Sequence, residues 1–215
     1  MMRSLKLGHR VALLCMVAVV AACGSTRETA WDTTQGAGAL DEASKAQVAD
    51  LLQKANVAWD GRNDIKQAEA AVEYLEQATN LDPGNADALS NLSHAIYFLG
   101  DCHYRFDEDN PDLYKSTHER GTKAGERALA AMSPAFAEKM AGGSRVEDAL
   151  DTLDRNAVPA LYWRATNLGR WASLESFATL LSYKEEIRAV LEFCLVEDPL
   201  SWYQAADRYF GVCDA

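Results

Sequence analysis

The sequence predicts an all-α fold of packed helical hairpins, on three observations. Proline is scarce, five in 215 residues, while alanine is abundant, a composition that favours helix. From Leu40 nearly to the end, apolar residues recur at three- and four-residue steps. Two windows also share one spacing: Ala71, Leu75, Ala78, Pro83 and Ile187, Leu191, Cys194, Pro199. Both end in Asp-Pro, and both carry Glu directly after the Leu.

The chain opens on a basic stretch (Arg3, Lys6, Arg10) and a short apolar run, 11–22, that ends Val20-Ala21-Ala22-Cys23-Gly24-Ser25. A charged start, about a dozen apolar residues and small residues before a cut make a secretory signal peptide, 1–22. The run is too short for a membrane span of ~20 residues. Small residues followed at once by Cys resemble the bacterial lipobox, which implies acylation of Cys23 and stable anchoring by more than one acyl chain. Gly24 and Ser25, with no Asp, are similar to the sorting signal for the periplasmic face of the outer membrane. Residues 23–39 read as a lipidated, flexible tether of small polar residues, and 40–215 as the helical domain.

A first helix is predicted over 41–59, with Ala43, Val48, Leu51, Leu52, Ala55 and Trp59 inward; Gly61 and Asn63 break it. The second opens on Asp64-Ile-Lys-Gln67, a capping box, and turns Ile65, Ala68, Ala71, Val72, Leu75 and Ala78 inward before Asp82-Pro83 stops it. A third follows Asn85, with Leu89, Leu92 and Ile96 inward, and is expected to end at Gly100. Residues 101–111 form an acidic insertion. Asn110 and Pro111 suit the N-cap and first position of a fourth helix reaching Met132, whose face of Thr117, Gly121, Ala124 and Ala128 permits close approach. A short helical turn and a break over 134–143, and a helix over 144–153 opened by the box Ser144-Arg-Val-Glu147, precede the central helix. A long helix over 180–196, stopped at Asp198-Pro199, and a last segment, 201–210, complete the series.

The central helix opens at Pro159, and as far as Leu174 its strongly polar side chains are Arg164, Asn167 and Arg170 alone. A helix so apolar is normally enclosed by others. One face carries Leu161, Ala165, Leu168 and Ala172. The other carries Trp163, Asn167, Arg170 and Trp171, where rings alternate with hydrogen-bonding groups. That second face has two readings: tight packing around satisfied polar tips, or the wall of an internal cavity for a small molecule.

Formal charge is −11, from 21 Lys and Arg against 32 Asp and Glu, and the leader holds three of the cations. An acidic body argues against nucleic acid and against electrostatic docking on anionic lipid. Cys102, Cys194 and Cys213 are odd in number and lack metal-ligand spacing, so buried thiols or at most one disulfide are expected. His94, His103 and His118 with Asp101, Asp107, Glu108 and Asp109 follow no known metal-ligand order. There is no nucleophile elbow and no Gly-rich phosphate loop. Neither a cofactor nor catalysis is expected.

The paired windows have the second-helix offsets of a tetratricopeptide repeat, so the hairpins are expected to stack as tetratricopeptide-like units in a bundle or superhelix. At Val158-Pro-Ala-Leu-Tyr-Trp163, with Trp171 downstream, the chain resembles the T component of tetratricopeptide-protein-associated TRAP transporters, a family of lipidated periplasmic helical proteins. The resemblance runs from Asp41 to the end. It takes in Leu81-Asp-Pro, the acidic insertion after Gly100-Asp and the 180–199 helix. It implies a bundle pierced by a pore, association with a periplasmic solute-binding P component in a trimer-based assembly, and passage of a small apolar or organic-acid ligand towards a permease. Trp163, Asn167, Arg170 and Trp171 are the candidates for the pore wall, chosen from the helix face and not carried over from the family. Family members continue past the segment matching Tyr209-Phe-Gly211 by a further helical pair, so this chain is expected to be short relative to them. The competing function is a generic repeat scaffold in envelope or outer-membrane assembly. The scaffold predicts indoles in continuous packing; the transporter reading predicts a passage beside them.

Overall fold

A computed structural model describes residues 27–31 and 38–213, and the leader and Cys23 lie outside them. The described residues are helical with no strand, as predicted. The helices are α1 (Glu42–Asp60), α2 (Ile65–Leu81), α3 (Ala86–Cys102), α4 (Pro111–Met132), α5 (Pro134–Ala141), α6 (Val158–Glu175), α7 (Phe177–Ser182), α8 (Lys184–Glu197) and α9 (Ser201–Cys213). Helices α1 to α4 pack each on the next. α6 lies against α3, α4 and α8, so the predicted central helix is central in fact.

Local chemistry sets most boundaries. Asp41 and Asp64 cap α1 and α2, the latter accepting from the N–H groups of Lys66 and Gln67. Asn85 accepts from Ala88 N–H, and Ser176 from Thr179 N–H. The matched windows are matched in space too. Ala71, Leu75, Ala78 and Ile187, Leu191, Cys194 are buried, and Asp82 and Asp198 end their helices in similar non-helical conformations, with ψ of 78 and 77°. Within α1 the expected inward set is corrected at its ends: Ala43 is exposed and Trp59 only half-buried, while Ala58 is buried.

Three boundaries differ from expectation. α3 runs through Gly100 to Cys102, because that glycine serves a close approach: a Cβ there would lie 2.8 Å from His118 Nε2. The helix expected over 144–153 is replaced by 3-10 turns at Val146–Asp148, Leu150–Thr152 and Arg155–Ala157. Val146 and Ala149 are both buried, and a three-residue spacing suits the 3-10 repeat. The helix predicted over 180–196 is two, α7 and α8, parted at Tyr183, whose ring meets Trp171 at 6.1 Å. In α9, Trp202, Tyr203 and Gln204 have φ of 45, 59 and 61°, a left-handed turn inside the segment expected to be plain helix. Trp202 is held there by stacking on Tyr162, and Arg208 donates to the carbonyls of Trp202 and Tyr203.

The α4–α6 crossing is the tightest joint. A Cβ at Gly125 would lie 2.5 Å from Arg164 Cβ and 3.1 Å from its Cα, and one at Gly121 would lie 2.4 Å from Asn167 Oδ1. Gly125→Ala must push the helices apart and is expected to destabilise by roughly 2–3 kcal/mol in urea unfolding. Gly169→Ala, whose Cβ would sit 3.4 Å from Ile187 Cδ1, is expected to be near-neutral, since helix propensity favours it. Equal stabilities of the two variants would contradict the close crossing.

The stretch 23–39, read as a flexible tether, is corrected in part: Arg27 is half-buried, and Ala30 and Trp31 are buried in the body. Trp31 meets Phe136 edge-on, 5.6 Å between ring centres, in the core formed by α4, α5, α6 and α8.

Candidate functional site

A groove of about 430 Å³ runs along α6, between that helix and α7, α8 and α9. Its walls are largely apolar, with Ala165, Gly169, Leu180, Leu181, Ile187 and Leu191 among them. Gly169 and Ala165 keep the α6 side shallow, and the broken α7–α8 pair supplies the leucines opposite. Polar groups converge from Tyr97, Thr166, Arg170, Ser173 and Lys184. An apolar trough with a few placed polar groups is the form of a small-molecule site.

Arg170 dominates the electrostatics. Its Nε lies 3.0 Å from Asp101 Oδ1 and its Nη2 donates to Oδ2 at 3.3 Å. Tyr114 also donates to Asp101, at 2.9 Å. Burial disfavours the Arg170 charge, but Asp101 and the phenols of Tyr114 and Tyr97 outweigh it and hold its pKa above the ordinary value. Burial, then Asp101, pushes the Tyr114 phenol up to about 12, so it stays a donor. The arrangement presents a fixed cation, two hydroxyls and a hydrocarbon trough.

Of the four residues chosen from sequence, Arg170 lines the groove and the other three stand behind its wall. Asn167 is fully buried. It donates to Ser93 O (3.0 Å), Ser93 Oγ (3.3 Å) and Trp163 O (2.8 Å), and its Oδ1 accepts from His118 Nδ1 at 3.0 Å. It therefore ties α3, α4 and α6 together. Trp163 stacks on His94, centroids 3.8 Å apart and planes 9° apart, and meets Tyr97, Tyr162 and Trp202. Trp171 packs with Leu168, Ile187 and Leu191. On the second face of α6, Trp163, Asn167 and Trp171 are thus packed, and Arg170 borders an open groove, not an internal cavity.

Sequence reasoning missed a buried charge network. Glu126 of α4, fully buried, meets two arginines. Arg27 is paired with it through both nitrogens of its fork, and Arg164 Nη2 lies 3.3 Å from Oε1. Ala30 N–H donates to Oε2 at 2.8 Å. Arg164 also bonds Glu186 at 2.6 Å and lies over the Trp31 ring at 4.7 Å. The signal was present: a Glu among Gly121, Ala124, Gly125 and Ala128, and an Arg on an apolar helix, each need a counter-charge when buried. Their common site was not readable.

Of the cysteines, Cys194 is a buried free thiol as expected, pushed up to about 12 by burial, whereas Cys102 is free but exposed; the Cys213 side chain lies outside those described. His103 meets Arg62 O at 2.9 Å, far in role from His94 and His118.

Residues 103–215 match the family model described as TRAP transporter T-component. The chain belongs to that family. No curated protein matches it. The match spans α4 to α9, so the T-component segment supplies nearly the whole groove, Arg170 included; Tyr97 and Asp101 precede it. Membership makes this chain a component of TRAP-type transport, in a family of transporter parts and not of enzymes. No helix among the described residues is long and apolar enough to cross a membrane.

Two buried histidines of this T component predict acid sensitivity. Burial lowers His118 to about 4, against the raising effect of Asn167, and burial with Arg62 lowers His94 to about 4. The Asn167 bond fixes the proton on Nδ1 of His118 and leaves its buried Nε2 without a hydrogen-bond partner. Both groups bind a proton more readily unfolded than folded, so the unfolded state gains protons between pH 6.5 and 4. Their contribution is complete above pH 6.5 and falls away as pH drops through that window, by up to about 3 kcal/mol each. Thermal unfolding from pH 7 to 4 is expected to show a falling Tm, reduced in slope by His118→Gln. A flat profile would contradict the burial of both rings.

Proposed function

We propose that this chain is the lipid-anchored T component of a TRAP-type uptake system, which associates with a periplasmic solute-binding protein and receives a small ligand with an apolar body and an acidic end. Acylation at Cys23 holds it at the periplasmic face, of the outer membrane where the cell has one. The observation that carries the ligand reading is Arg170, braced by Asp101 at the polar side of a trough lined by leucine and isoleucine. Leu174, Phe177 and Leu181, exposed on the α6–α7 corner beside the trough, offer an apolar seat for the solute-binding partner. Trimer formation would set several such corners around one axis.

The test uses octanoate and octanol with the purified lipid-free protein, followed by calorimetry or NMR. Octanoate is expected to bind and octanol to bind at least tenfold more weakly, with Arg170→Gln removing the difference, since a charge-assisted bond contributes about 1.5–3 kcal/mol. Phe177→Asp is expected to lose co-purification of the solute-binding partner while octanoate binding persists. No binding of either amphiphile would sink the ligand reading. Undiminished co-purification with Phe177→Asp would sink the docking one.

A further inference from the structure

We infer that the body is clamped against the bilayer by its own N-terminal residues, with the α4 side of the bundle facing phospholipid headgroups. This rests on the proposed acylation at Cys23. Arg27 lies four residues after that cysteine, and four residues reach at most ~14 Å even fully extended. Arg27 is also where the chain is fixed. It pairs with buried Glu126 through two nitrogens, Ala30 N–H donates to the same carboxylate, and Trp31 is buried against Phe136 and under Arg164. The free length between lipid and fold is thus a fraction of the stretch that composition suggests.

A second observation selects the same side. In a chain of net charge −11, α4 carries Arg120, Lys123 and Arg127 together on one side, while its Lys115 pairs with Glu175 of α6. Lys123 sits beside the point of entry, 3.6 Å from Glu28 and 3.1 Å from Glu119. Arg120 pairs with Glu76, and Arg127 donates to Thr79 O. These partners leave the cations partly neutralised, so the anchor supplies the attachment and the α4 side chains its orientation, towards phosphate. The groove along α6–α8 is built from other faces of the bundle and keeps its access to solvent.

Arg27 is the only basic residue between Cys23 and Lys45, so trypsin reports on the clamp directly. The acylated protein is reconstituted in vesicles of phosphatidylethanolamine and phosphatidylglycerol bearing dansyl headgroups. The wild type is expected to resist cleavage after Arg27 and to show strong tryptophan-to-dansyl transfer. Trp31→Ala, which frees the segment but keeps the cleavage site, is expected to release the body at least tenfold faster, since cleavage follows the population of the open form. A spacer of about twelve Gly and Ser residues between Thr26 and Arg27 leaves all packing intact and adds a mean reach of about 20 Å; it is expected to cut energy transfer severalfold. Wild-type cleavage as fast as Trp31→Ala, or transfer unchanged by the spacer, would overturn the clamp. Mass analysis of the N-terminal peptide separates the premises. An unacylated Cys23 defeats the anchor reading, and an acylated Cys23 with either adverse result defeats the clamp alone.

Discussion

Glu126→Ala is expected to destabilise the protein by about 3–5 kcal/mol, the usual consequence of removing one member of a buried charge pair. The carboxylate is fully buried between two guanidinium groups, and each of those is also almost fully buried. Arg164 keeps Glu186, but its Nε and that of Arg27 are buried without acceptors, so neither arginine has spare partners to turn to. Arg27 has an escape that Arg164 lacks: it swings into solvent with its segment, which uncovers Trp31. The variant should therefore show two signatures, a Tm lower by about 10 °C or more and faster trypsin cleavage after Arg27. Glu126→Gln, which keeps the shape and the acceptor for Ala30 N–H, should lie between. A Tm within about 3 °C of the wild type for Glu126→Ala would show that the network contributes little.

Asn167→Ala is expected to destabilise by about 2–4 kcal/mol, because it orphans the His118 Nδ1–H and removes the amide's bonds to Ser93 and Trp163. Four hydrogen bonds end on that one amide, from three helices, and Gly121 is a glycine so that the amide can lie against α4. The prediction separates its two possible roles. A residue lining a passage would alter uptake with stability unchanged; a residue joining helices alters stability and near-ultraviolet circular dichroism first. Unfolding by urea decides, and a loss below about 0.5 kcal/mol would return Asn167 to the list of wall residues. The same logic applies to Trp163, whose stack on His94 and contacts with three other rings make any charged replacement a test of the core.

How much was legible follows the range of the forces involved. The Asp64 cap, the Asp82 and Asp198 ends and the inward faces of α2 and α8 came out as expected, except that Ile65, predicted inward at the first turn of α2, is exposed; each is decided within a turn or two of the chain. Gly100 was misread as a terminator because the reason for it, His118, lies on another helix. The turns at Val146–Ala157 were misread as helix because a capping box does not reveal which residues the body will bury. At the site, the polar positions of α6 and the rings beside them are readable in the sequence. Which of them meets solvent was not, since Asn167 and Arg170 differ by less than one turn yet face a packed joint and an open groove.

By itself the sequence determined that the chain is helical, where most helices start, that α6 is enclosed and that the chain resembles the T-component family. These depend on local hydrogen bonding and on apolar periodicity, which any helix carries with it. Only the tertiary structure decided that Glu126 gathers Arg27 and Arg164, that Asn167 is a joint and that Arg170 alone of the four lines the groove. Those outcomes depend on how closely α4 and α6 cross. The crossing is fixed by glycines and buried charges far apart in the chain, whose mutual distance no local pattern encodes.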